Sequence, residues 1–163
     1  MDNSAAHFTA EVRPEWIDLN NHMTFWAYLK LFDEAAASYF ASNGIVEPAG
    51  PESRVLRTSQ HHVKFYKESF AGDPLTFEMQ ILGYGEKHIH VFQRMRSGKD
   101  GQLLAVEESV KKNLAGSIRP PFAERERAFS PALLERLALL AREHEKLPRP
   151  PEAGAAIKAP QLR

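Results

Sequence analysis

Thr24-Phe-Trp-Ala-Tyr-Leu-Lys-Leu-Phe-Asp-Glu-Ala-Ala-Ala-Ser-Tyr-Phe-Ala-Ser42 puts Phe25, Tyr28, Leu29, Phe32, Ala35, Ala36, Tyr39 and Phe40 at spacings of three and four, the period of a helix with one apolar face. The spacing predicts about five turns. Asn43-Gly44 closes them, a pair suited to the left-handed residue that ends many helices. So much aromatic bulk exceeds what a surface helix needs, and a curved sheet wrapped around the helix would bury it. The flanking sequence supplies such a sheet. Phe8-Thr-Ala-Glu-Val12 alternates with period two and reads as a strand that ends before Pro14. After a Pro/Gly loop at 48–51, strand character recurs around 55–67, 75–82, 87–97 and 103–114. Gly72-Asp73-Pro74, Gly83-Tyr-Gly85 and Ser97-Gly-Lys-Asp-Gly101 separate these segments, as in a meander. Gln60, His62, Lys64 and Tyr66 alternate against His61, Val63, Phe65 and Lys67, and His88, His90, Phe92 and Arg94 against Ile89, Val91, Gln93 and Met95. One packed face and one partly wet face are expected. Ser130-Pro131 reads as N-cap and first-turn proline of a second helix running to about Glu145.

The order of strand, long helix, four or more strands and short helix predicts an α+β architecture, with an antiparallel sheet around the first helix rather than a doubly wound fold. Residues 1–147 are expected to form one domain, and 148–163 an extended Pro/Ala-rich tail ordered by contact with the body or a partner subunit. Charges cancel at 21 Lys+Arg against 21 Asp+Glu, which argues against a general nucleic-acid binder. The chain has no Cys, which excludes disulfides and thiolate chemistry and fits the cytosol. No segment approaches the ~20 apolar residues of a membrane span, so a cytoplasmic protein without membrane association is expected. No Gly-rich phosphate loop opens a helix, which argues against nucleotide-dependent chemistry.

Just before the aromatic helix, Pro14-Glu-Trp-Ile-Asp-Leu-Asn-Asn-His-Met23 sets Asp18 and His22 four residues apart in a polar loop. A helix N-terminus presents unpaired N–H groups at its positive end, so carboxylate, imidazole and oxyanion donors can converge there. Local sequence alone equally allows Asp18 as a cap or Asx-turn residue and His22 as a structural histidine. Trp16, Phe25, Trp26 and Tyr28 put four aromatics within 13 residues around this loop, which by themselves suit core and interface packing. His61-His62 and His88-Ile-His90 are weak metal signals, and no metal is expected.

Asp18, His22-Met23, the helix from Phe25 with Tyr28, Phe65-Tyr66-Lys67-Glu68 and Gly72-Asp73-Pro74 together resemble the hotdog-fold acyl-CoA thioesterases of the 4-hydroxybenzoyl-CoA thioesterase-like superfamily, over roughly residues 8–115. The 14–24 stretch, Leu137-Ala-Leu-Leu-Ala-Arg-Glu-His-Glu-Lys-Leu-Pro-Arg-Pro150 and Ala153-Gly154 are similar to the betainyl-CoA thioesterases of carnitine breakdown, including forms fused to L-carnitine dehydrogenase. One departure is Asn21, where relatives commonly carry Gly.

The resemblance implies a single hotdog domain that hydrolyses a small acyl-CoA, preferentially betainyl-CoA. The alternatives are a thioesterase for aromatic or other short acyl groups and a noncatalytic acyl-carrier-binding hotdog protein. It implies Asp18 and His22 as catalytic residues, with Met23 and Thr24 N–H groups as the oxyanion hole. Trp16, Asn21, Phe25, Trp26, Tyr28 and Glu68 are expected at the substrate, Glu68 as a carboxylate offsetting a cationic acyl group. Lys64, Lys67, Lys87, Arg94 and Lys112 are candidates for the phosphates of coenzyme A, which enters as substrate; no cofactor is expected. A homodimer or homotetramer with sites between subunits is implied, residues 60–68 and 85–96 completing the site across the interface. L-carnitine dehydrogenase is the implied metabolic partner.

Overall fold

The computed structural model describes residues 6–45, 53–116 and 125–158. The Pro/Gly loop expected at 48–51 and the last residues of the tail lie outside them. The elements run β1 (Phe8–Glu11), a 3-10 turn (Pro14–Trp16), α1 (Phe25–Ser42), β2 (Ser53–Phe65), β3 (Pro74–Tyr84), β4 (His88–Ser97), β5 (Leu103–Gly116), β6 (Arg125–Glu126) and α2 (Pro131–Glu145). The strands form one curved antiparallel sheet in the order β1-β3-β4-β5-β2, with β6 on β5, packed against helices. This is the hotdog arrangement, α+β and antiparallel as expected. The 3-10 turn and β6 carry no periodic signal and were not anticipated.

Two compact units divide the chain, and β2 to β5 each run through both. The first holds β1, α1 and the adjoining parts of β2 to β5. Its core is α1's apolar face, with Tyr28, Leu31, Phe32 and Ala35 against Phe77, Leu75, Met95 and Ala105. β1 pairs with β3 from Phe8↔Phe77 to Glu11↔Pro74. Gly44 takes the left-handed conformation (φ 69°) just past the helix end, as Asn43-Gly44 predicts.

The second unit carries α2 and the tail. Ser130 Oγ accepts Leu133 N–H, the expected N-cap. His144, fully buried on α2, accepts Ile81 N–H through Nδ1 at 2.7 Å, which satisfies a β3 donor beyond the end of β1. The partly wet face expected on β4 is wet only at its ends: His88 and Arg94 are half-buried, whereas His90 and Phe92 are as buried as Ile89 and Val91. The reason on the His90 side is a buried polar junction. Glu108 takes His90 Nε2 at 2.8 Å on one oxygen and Gly154 N–H at 3.0 Å on both, and so holds the tail against the sheet. Pro150 and Ile157 are buried, and turns occupy 151–154, so the tail to 158 is folded rather than extended.

Glu108→Ala removes the acceptor of the buried His90 bond and of the Gly154 N–H on the tail, and a loss of about 3 kcal/mol is expected. Chemical denaturation together with hydrogen exchange at Gly154 checks this. An unchanged midpoint with a protected Gly154 amide would show that the tail is held by other contacts.

Candidate active site

A tight turn builds the centre of the site. Ile17 and Met23 bridge antiparallel, Asp18 N–H donates to His22 O at 2.9 Å, and Asn21 N–H returns to Asp18 O at 3.0 Å. Asn21 sits at φ 65°, so it fills the left-handed position that a glycine would otherwise occupy, and the turn survives. Asp18 Oδ1 accepts Asn20 N–H at 2.8 Å and His22 N–H at 3.3 Å. The Asx-turn and site readings of Asp18 are therefore compatible: one oxygen organises the loop while the side chain lines a cleft of about 400 Å³.

Asp18, His22, Met23, Phe25, Tyr28 and the run Phe65–Glu68 line that cleft. All of them belong to the first unit. His22 Nε2 pairs with Glu68 Oε2 at 2.8 Å, and its ring meets the Phe70 ring edge-on at 5.4 Å. Tyr28 OH reaches Lys67 O at 3.3 Å and Ser69 Oγ at 3.4 Å. Burial pushes the Tyr28 phenol up and the Ser69 bond opposes it; the net shift is upward, which keeps Tyr28 a protonated donor.

The oxyanion register needs correction. Met23 N–H donates to Ser69 O and Thr24 N–H to Trp16 O, both at 2.8 Å, so neither donor is open. These bonds fasten the turn to its neighbours. Thr24 is the N-cap, yet its side chain makes no capping bond and Ala27 N–H reaches back to Thr24 O. Phe25 and Trp26, the first helical residues, precede the intrahelical ladder, so their N–H groups have no partner within the helix. The first-turn donors at the positive end of α1 thus lie one or two residues later than the sequence suggested.

The other expected residues divide. Phe25 and Tyr28 line the cleft, whereas Trp16 is a core residue, 5% exposed, with Arg13 at 5.2 Å and Lys30 at 5.6 Å from its ring. Its aromatic face serves the protein's own cations. Asn21 and Trp26 are exposed outside the lining set. Of the basic candidates, only Lys67 lines the cleft, and its Nζ is held by Gln102 Oε1. Lys64 Nζ lies 4.8 Å from the Tyr66 ring, and Arg94 is half-buried on β4. Lys87 and Lys112 belong to the second unit, where Lys112 pairs with Glu126. Residues 65–68, expected to complete a site across an interface, join the cleft of the same chain. Phe65 and Tyr66 were expected only as part of the 60–68 segment, and Ser69 was not singled out. The available signal was the aromatic pair placed between a strand and a Gly-Asp turn.

The fold is of the hotdog class, with a cleft at the start of its long helix. Residues 12–137, well over half of the chain, match the model of the thioesterase-like superfamily. The chain belongs to that superfamily, whose hotdog-fold enzymes hydrolyse acyl-CoA thioesters. Among curated relatives, it is 29% identical over 164 residues to a betainyl-CoA thioesterase of Pseudomonas aeruginosa, covering 100% of both chains. It is also 29% identical to an L-carnitine dehydrogenase/betainyl-CoA thioesterase of Agrobacterium fabrum, over 94% of this chain and 30% of that longer protein. Among solved structures, a Staphylococcus aureus protein in complex with CoA superposes with a TM-score of 0.76 at 23% identity, covering 96% of this chain and 97% of that one. Among the described residues, no helix is long and apolar enough to cross a membrane.

Proposed function

We propose that this chain hydrolyses betainyl-CoA to betaine and coenzyme A, with Asp18 as the carboxylate that attacks the thioester or activates water. The observation that carries the chemistry is Asp18 in the cleft beside the first turn of α1. One Asp18 oxygen is anchored by backbone donors, which aims the carboxylate without neutralising it. Thioester attack places negative charge on the carbonyl oxygen, and Phe25 and Trp26 N–H at the positive helix end are the donors suited to receive it. His22, held by Glu68, lies where it can orient the substrate or supply a proton to the departing sulfur. The end-to-end match to the Pseudomonas aeruginosa enzyme supports the acyl group, and the fusion of other relatives to L-carnitine dehydrogenase supports work beside such a dehydrogenase.

Release of free coenzyme A from betainyl-, acetyl-, butyryl- and 4-hydroxybenzoyl-CoA tests this reading. Preference for betainyl-CoA is expected. Turnover of neutral acyl-CoAs alone would remove the substrate assignment, and no turnover of any would favour a carrier-binding role.

A homodimer or larger assembly belongs to the same proposal. β2 is a sheet-edge strand, and next to its end Phe65 and Tyr66 are 49% and 39% exposed, with Phe25 at 68% nearby in the cleft. Edges and aromatic patches of this kind are normally covered, here by a second copy. Sedimentation of the wild type as a dimer or tetramer, and of Phe65→Lys/Tyr66→Lys as a monomer, is expected; a wild-type monomer at micromolar concentration would refute the assembly.

A further inference from the structure

We propose that Glu68 is the specificity-determining residue of the cleft: its carboxylate reads the fixed positive charge of the acyl group, with Phe25 and Phe65 as the apolar walls around that charge. The proposal deepens the thioesterase reading and rests on it. Three observations carry it. Glu68 lines the same cleft as Asp18, and its partner there is already a group that can bear positive charge, the His22 imidazole at 2.8 Å. The one ammonium of the lining, Lys67 Nζ, is drawn off to Gln102, so no fixed cation of the cleft is given to the carboxylate. Phe25 and Phe65 expose 68% and 49% of their surface, and neither has a basic side chain on its ring among the cation–ring contacts of the described residues, unlike Trp16 and Tyr66.

A quaternary ammonium has no N–H to donate. It is recognised only by Coulomb attraction and by contact of its methyl shell with aromatic faces, and this cleft offers both. Asp18 is reserved for the carbonyl carbon or its attacking water, so the second carboxylate is the one available for the charge. Pairing with His22 holds the Glu68 carboxylate at the rim of the cleft, where its side chain is 61% exposed and open to an incoming acyl group. Discrimination then comes from the difference between a paired carboxylate and one facing a neutral group of the same shape.

The test compares betainyl-CoA with 3,3-dimethylbutyryl-CoA, which replaces N⁺ by carbon at nearly constant shape. The readout is the ratio of kcat/KM for the cationic over the neutral substrate, measured within one preparation so that any loss of folded enzyme cancels. Glu68→Gln is expected to lower this ratio by at least tenfold, and Glu68→Lys by a further tenfold. If both variants lower the two substrates by the same factor, Glu68 acts by positioning His22 and the specificity role is overturned. A wild type that hydrolyses the neutral substrate but not betainyl-CoA would instead refute the substrate reading itself. A wild type that prefers betainyl-CoA and keeps its ratio in both variants would refute only the role of Glu68.

Discussion

Asp18→Asn is expected to lower kcat for acyl-CoA hydrolysis by about a thousandfold, within the range for loss of a positioned acid–base group, while fold and coenzyme A affinity persist. The substitution separates the two jobs of this side chain. An amide oxygen still accepts the Asn20 and His22 N–H groups that close the turn, so the loop and its bonds to Ser69 O and Trp16 O remain. The other terminal atom becomes an NH₂ that is neither basic nor nucleophilic. Stopped-time release of coenzyme A, with calorimetric binding of coenzyme A and a far-UV spectrum of the variant, measures all three properties. Activity within tenfold of wild type would remove Asp18 from the chemistry and leave it a loop residue.

Phe32→Ala is expected to cost about 3–5 kcal/mol of stability, which lowers the melting temperature by about 10 °C in a domain of this size. Phe32 is completely buried at the middle of α1, and its ring meets Phe77 of β3 edge-on at 5.8 Å. Its carbonyl also accepts Gln93 Nε2 at 2.9 Å, a buried bond that fixes the helix against β4. Truncation leaves a cavity lined by aromatic and branched side chains that the sheet cannot collapse to fill. The same helix carries the first-turn donors, so activity should disappear together with the fold and not before it. Differential scanning calorimetry decides, and a fall of less than about 3 °C would mean that the core closes around the gap.

Much of the fold was legible because its signals are local. Thr24 to Ser42 announced α1 through its 3.6 period, Asn43-Gly44 its end, and Ser130-Pro131 the start of α2. The strand segments differed from expectation by only a few residues at their ends. That Asp18, His22, Phe25 and Tyr28 share one cleft was legible because the turn and helix start that hold them are adjacent in the chain. The burial of Trp16 was not legible, since an aromatic beside a polar loop reads equally as core or ligand face until the neighbours of its ring are known. His144 and Glu108 likewise looked like ordinary polar residues of a helix and a strand.

By itself the sequence determined which segments become helix and strand, where the long helix starts and stops, and that a carboxylate and an imidazole share its N-terminal turn. Each of these depends on hydrogen bonds and side-chain spacings within a few residues. Only the tertiary structure decided which N–H groups of that turn stay open, because Ser69, far along the chain, supplies the carbonyl that takes Met23 N–H. The same long-range contact brings Phe65 to Glu68 to Asp18, and Glu108 to Gly154 settles where the tail lies. Contacts between distant segments are chosen by packing of the whole sheet, and no local pattern carries that information.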